Sequence, residues 1–279
     1  MQEATGRTQT RTSSRYALGG LIVAIMLLAA CATHIDPRSV DKDGLFSAIE
    51  VDDVHYIRAA VASHAISPNQ RIPAPGYHGG APLITLAARA GSLEVLQYLI
   101  AAGADVNART PYDETALMLA SFFMSEQDGG SASYEQHEAV AKMLVNAGAS
   151  LEAARDGYTP LSYAAYKGRD DTILFLLRRG ARVDGSAHNG FTYLPTPLMM
   201  AVMMGHEDSV RLLLRSGADA RLRVAGGNTA FEFALKYQQT HLLTMLRCAQ
   251  GLPPRQKFAQ WCEGATSTES LIPAGLFRR

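Results

Sequence analysis

The stretch Leu86-Ala-Ala-Arg-Ala-Gly-Ser-Leu-Glu-Val-Leu-Gln-Tyr-Leu-Ile-Ala-Ala-Gly-Ala-Asp105 decides the fold. It holds two apolar runs at helical spacing, divided by Gly91 and closed by Gly103. The same grammar returns along the chain. Thr115-Ala-Leu-Met-Leu-Ala120, Thr159-Pro-Leu-Ser-Tyr-Ala164 and Thr196-Pro-Leu-Met-Met-Ala201 open equivalent segments. Gly148-Ala-Ser150, Gly180-Ala-Arg182 and Gly217-Ala-Asp219 repeat the closing turn of Gly103-Ala-Asp105. Counted from the first motif position, the copies start at Asp43, Pro82, Thr115, Thr159, Thr196 and Thr229. The intervals are 39, 33, 44, 37 and 33 residues. A near-constant pitch of this size describes stacked helical pairs that share one elongated core.

Each residue type has a mechanical reason to recur. The opening Thr caps a helix with its hydroxyl, and Pro is tolerated in a first turn where no amide is needed. Leu and Ala at helical spacing make a thin face that lets neighbouring pairs approach closely. Gly103, Gly148, Gly180 and Gly217 follow a second helix, where a left-handed terminator favours glycine. The end copies depart from the pattern. The first lacks Thr-Pro and has His64 where glycine belongs, and the last has Gln238 in place of a glycine. The second begins Pro82-Leu-Ile-Thr85, which leaves its cap open.

These segments resemble the ankyrin repeat, with its Thr-Pro-Leu-His-x-Ala opening, a Gly-His step, a second apolar helix and a closing Gly-Ala-Asp. The resemblance runs over most of residues 43–249 and implies an all-α solenoid of about six helix-turn-helix repeats with finger loops. Relative to the family's period of about 33 residues, three copies carry insertions of 6, 11 and 4 residues. The largest is placed between the two helices of the third copy, around Ser125–Gln136.

The N-terminus carries an export composition. Arg7, Arg11 and Arg15 precede a fourteen-residue apolar run from Ala17 to Ala30. That run is too short for a hydrocarbon core that needs about 20 residues and fits the apolar region of a secretory signal, an uncleaved anchor being the alternative. Leu28-Ala29-Ala30-Cys31 resembles the lipobox of bacterial lipoproteins. The resemblance implies a signal peptide over 1–30 and lipidation of Cys31, which leaves 31–42 as a tether. It also implies a lipoprotein facing the periplasm, with Ala32 favouring the outer membrane. At the other end Pro253-Pro254, a single Trp261 and a Ser/Thr-rich stretch read as an irregular tail over 250–279. Without residues 1–30 the chain has 23 basic and 25 acidic residues, a net charge of −2. With no run of Lys and Arg, nucleic acid is not an expected partner.

Cys248 and Cys262 then remain as side-chain thiols and are a disulfide candidate in an oxidising compartment. Their spacing lacks the two-residue chelate of a zinc site.

In ankyrin proteins the partner usually meets the concave face, formed by the fingers and the ends of the first helices. The variable positions there read Glu50/Val51, Arg89/Ala90, Phe122/Phe123, Tyr166/Lys167, Met203/Met204 and Lys236/Tyr237. From the third copy onward they form a ladder of aromatic and Met side chains, as interface cores do. Burial within the core is the competing reading. Finger tips add Tyr77, His78, Tyr112, Asp113, Arg155, Tyr158, His188, Phe191 and Tyr193, either as contacts or as packing between fingers. The contact residues expected are therefore Tyr112, Phe122, Phe123, Tyr158, Tyr166, Lys167, Tyr193, Met203, Met204 and Tyr237. A monomer binding one protein partner is expected, with no cofactor, no metal and no catalytic group. His206 and His137 fall at the Gly-His step, where a structural hydrogen bond is the role, and Asp170-Asp171 begins a helix, where acids suit the dipole.

Overall fold

Threonines open four of the six inner helices in a stack of helical pairs. The computed structural model describes residues 42–122, 133–153, 157–185, 191–192, 194–252 and 258–262. Six helical pairs follow one another. They are α1 Lys42–Glu50 with α2 Val54–Ala62, α3 Leu83–Ala90 with α4 Leu93–Ala101, and α5 Ala116–Phe122 with α6 Tyr134–Asn146. The others are α7 Pro160–Lys167 with α8 Asp170–Arg178, α9 Pro197–Met204 with α10 Glu207–Arg215, and α11 Ala230–Lys236 with α12 Leu243–Gly251. A last short helix, α13, covers Phe258–Trp261.

The caps work as the residue types require. The hydroxyls of Thr115, Thr159 and Thr196 accept from the amides of Met118, Ser162 and Met199. Each such cap is worth about 1 kcal/mol. In α11 the Glu232 carboxylate accepts from the Thr229 amide at 2.8 Å and from its hydroxyl. The second copy is different, because Pro82 offers no side-chain cap to α3; Thr85 Oγ1 instead donates back to Pro82 O at 2.7 Å. In the first copy α1 starts at Lys42, a residue earlier than the motif count.

Inner helices α1, α3, α5, α7, α9 and α11 pack in series, and the outer helices pack behind them. Small residues permit this approach: Ala87, Ala120, Ala164, Ala201 and Ala234 are all buried between inner helices. Leu96, Leu144, Leu176 and Leu213 seal the outer row. Burying each such Leu contributes about 1.5–3 kcal/mol, so the continuous row of leucines is the core.

Three positions show how the pattern tolerates other residues. His64, Gln238 and Asp52 all adopt left-handed backbone, with φ of 60°, 59° and 57°. His64 and Gln238 stand where the repeat pattern asks for glycine, and both keep the turn's left-handed backbone at exposed positions. The finger bases are fastened by a side-chain rail that the repeat motif did not announce. Asn69 accepts from the Asp105 amide at 2.7 Å and donates to Gly103 O, and Asn107 accepts from the Ser150 amide at 2.8 Å. Glu152 and Asp184 likewise accept from the amides of Arg182 and Asp219.

Four details depart from the sequence reading. The solenoid is not purely helical in its fingers, since β1 Arg71–Ala74 pairs antiparallel with β2 Tyr77–Pro82, and β3 Phe191–Thr192 pairs in parallel with β4 Arg223–Val224. The inserted stretch of the third copy ends before Ser133, because Ser133 and Gln136 form a capping box that makes Tyr134–Gln136 the first turn of α6. Helix α12 runs past Ala249 to Gly251. The tail also forms α13, which packs on α10 and buries Phe258. Cys31, Phe123 and Tyr193 lie outside the described residues, as do Arg155, His188 and most of the 250–279 tail.

Cys248 and Cys262 are bonded, with their Cα atoms 5.8 Å apart across a separation of 14 residues. Closing a loop near this length stabilises by about 3 kcal/mol through the unfolded chain. Replacing both cysteines with serine is expected to lower the urea midpoint of the sixth repeat, read by Trp261 fluorescence. The helical circular dichroism of the other repeats should melt close to its original midpoint.

Candidate concave binding face

Side chains at or near the start of the outer helices reach back to the preceding repeat and capture a carbonyl at the end of its inner helix. His137 Nε2 lies 3.0 Å from Arg89 O, His206 Nε2 3.0 Å from Tyr166 O, and Gln239 Nε2 3.4 Å from Met203 O. Ser92 Oγ makes the same link to Ile49 O. Helix ends leave carbonyls without an internal partner, and these bonds satisfy them from the next repeat. Arg89, Tyr166 and Met203 are themselves rungs of the ladder. Their backbones are held inside the stack while their side chains sit at its concave edge.

This closeness fixes the glycines. A Cβ on Gly168 would stand 2.7 Å from His206 Nδ1, and one on Gly205 would stand 2.6 Å from Gln239 Oε1. Both glycines also have positive φ, at 66° and 74°, so the position is closed to side chains twice over.

The rungs vary in exposure. Phe122 is half-buried, stacked on Tyr166 with ring centroids 6.0 Å apart and set edge-on to Tyr163 at 5.7 Å. Lys167 Nζ lies 4.7 Å from the Phe122 centroid, at cation–π distance. Met203 is half-buried and Met204 is 44 % exposed. Tyr237 is 39 % exposed and stacks on Phe233 at 6.1 Å, with Lys236 Nζ 5.5 Å from its ring. The structure thus joins Phe122, Tyr166 and Lys167 into one cluster, while Met203, Met204 and Tyr237 lie further along the face. At the other end Val51 is 75 % exposed.

The fingers divide between packing and display. Tyr77 and Tyr112 face each other at 5.8 Å, Arg89 lies over the Tyr77 ring at 5.6 Å, and Tyr77 Oη donates to Glu114 at 3.5 Å. Burial, and then the Glu114 charge, raise the Tyr77 phenol above its ordinary value. Tyr77 is therefore a strut between fingers, whereas Tyr112 remains 41 % exposed. Tyr158 is half-buried. Between α1 and the β1–β2 hairpin lies a cleft of about 750 Å3, lined by Phe46, Pro73, Pro75, Tyr77 and His78 among others. Sequence reading singled out this finger but not the cleft, which also needs Phe46 from α1.

The acidic and histidine groups have structural partners. Asp170 accepts from Ser209 Oγ, and Asp171 accepts from Tyr134 Oη at 3.4 Å. Among the described residues no group of three or more His, Cys, Asp or Glu is arranged to hold a metal ion.

His137 is buried, with Nδ1 also 3.2 Å from Ser133 O. Burial pushes its pKa below the ordinary 6.5, against the pull of the two carbonyls. The folded state thus resists a proton that the unfolded chain accepts. Stability is full above about pH 6.5 and falls as pH drops from there toward the folded value. Thermal midpoints between pH 7.5 and 5.5 are expected to fall more steeply for the parent than for His137→Gln.

Family models describing ankyrin repeats match this geometry over much of the chain. A single ankyrin repeat matches residues 78–111, ankyrin repeats in three copies match 131–187, and ankyrin repeats in many copies match 161–214 and 198–247. Together they cover more than half of the sequence. Ankyrin repeat and SOCS box protein 16 of Mus musculus is 40 % identical over 111 residues, which are 38 % of this chain and 23 % of that protein. The chain spans less than a quarter of this relative, and the likeness lies in the repeats.

Proposed function

The chain is an ankyrin-repeat protein, and we propose that it is a scaffold held at a bacterial membrane by a lipid on Cys31, presenting its concave face to a partner protein in the periplasm. Ankyrin repeats generally mediate protein binding and are typically not enzymes. The observation that carries the reading is the face running through Phe122, Tyr166, Met203, Met204 and Tyr237, in which Met204 and Tyr237 are well exposed. Rigid aromatic groups supply contact area at little entropic cost, and Tyr and Met are enriched at interface centres. Carbonyl capture in the adjacent repeats leaves the rungs little freedom to lose on binding.

The anchor rests on Leu28-Ala29-Ala30-Cys31 and on the apolar run before it. Several acyl chains give stable attachment where one is marginal. Among the described residues no helix is long and apolar enough to cross a membrane. Outer-membrane placement follows from Ala32. A narrower form of the proposal is an immunity or protective protein that captures a toxic enzyme delivered to the periplasm, for which a small rigid groove in that compartment is suited. The cleft of about 750 Å3 beside the first finger favours a second reading, a small ligand held by the hairpin.

Affinity capture from a membrane extract should recover one stoichiometric protein partner. Tyr166→Ala with Tyr237→Ala should weaken that capture at least about a hundredfold, as loss of two central aromatics does, while helical dichroism is retained. Undiminished capture would move the site off this face; loss on His78→Ala alone would favour the hairpin cleft. For the anchor, Cys31→Ser should release the protein from the membrane fraction or leave an uncleaved precursor. A variant that fractionates and migrates like the parent would remove the lipid from the proposal.

A further inference from the structure

Position seven of the repeat motif is sealed in five consecutive inner helices. Ile49, Ala88, Ser121, Ala165 and Val202 are all fully buried, each covered by the helix that follows. The sixth counterpart is Leu235 in α11, and it is 53 % exposed. Position three tells the same story. Leu45, Ile84, Leu117, Leu161 and Leu198 are buried, whereas Phe231 is only half-buried. The first repeat is closed differently, for α1 has an exposed Ser47 at the position where α3, α5 and α11 bury Leu86, Leu119 and Phe233. A terminal repeat normally turns a polar face to water. This one keeps an apolar face.

The path of the chain identifies what can cover it. Helix α12 packs on α11, and the Arg247 guanidinium lies 5.2 Å from the Phe231 ring. Its neighbour Cys248 is bonded to Cys262, which ties the start of the final segment to α12. Seventeen residues follow Cys262, enough to reach any point on α11 at roughly 3.3 Å per extended residue. They include Leu271, Ile272, Leu276 and Phe277, then Arg278 and Arg279. Glu232, beside Phe231 and half-buried, supplies the opposite charge.

We propose that residues 271–277 of this chain cover Leu235 and Phe231, standing in for the helix that a further repeat would provide. The tail closes the solenoid with apolar side chains, and its arginines pair with the acidic edge at Glu232. This inference concerns the end of the stack and stands apart from partner binding on the concave face.

Hydrogen exchange of the full chain, read by mass spectrometry, tests it. With Leu276→Asp and Phe277→Asp together, amides of residues 230–236 should exchange roughly tenfold faster, the scale set by uncovering one large apolar side chain. Exchange in α3 to α8 should not change. Unaltered exchange in 230–236 would overturn the proposal. So would light scattering that finds a dimer turned to monomer by Leu235→Asp, since the face would then belong to a second copy.

Discussion

The capture of an inner-helix terminal carbonyl by a side chain from the next repeat is the interaction on which the rest depends. A carbonyl left at a buried helix end costs a kilocalorie or more, and neighbouring repeats come close enough to cover these ends. His137, His206 and Gln239 solve that problem from outside the helix they serve. Their reach brings His206 and Gln239 against the glycine two residues past the carbonyl each one captures, which is why Gly168 and Gly205 admit no Cβ. One local contact therefore sets the spacing of repeats, the identity of two residues per step and the placement of the groove.

The groove inherits its rigidity from that contact. The carbonyls of Arg89, Tyr166 and Met203 are the fixed points of the stack, captured by His137, His206 and Gln239. A ring such as Tyr166 is then further steadied by Phe122 and, across it, Lys167. Binding surfaces gain from such preorganisation because little freedom is lost when a partner arrives. The fingers are braced by different means, a rail of Asn69, Asn107, Glu152 and Asp184 that reads the next repeat's amides.

The two ends of the stack show what happens when a neighbour is missing. Ser47 leaves the first repeat compatible with water, while Leu235 and Phe231 leave the last one apolar. Inner-helix positions that are core in the middle of the stack thus become surface at its described ends, Ser47 in the first repeat and Leu235 in the last. Repeat proteins make this visible because each unit has only two neighbours to lose.

Helix identity, repeat count, the capping threonines and the structural role of His206 were legible in the order of residues, because each depends on contacts within one repeat or on a fixed step to the next. His64 and Gln238 could be read only as departures from glycine positions in the pattern; their left-handed backbone came from the tertiary structure. Less could be read where distant copies meet. Phe122 pairing with Tyr166 and Tyr77 becoming a strut against Tyr112 and Glu114 join side chains from different repeats, and the cleft joins Phe46 of α1 to the β1–β2 hairpin further along the chain. So do the exposure of Leu235 and the helix at Phe258–Trp261, which forms only by packing on α10. Periodicity determined what each residue is within its repeat; the neighbours, present or missing, decided whether it faces protein or water.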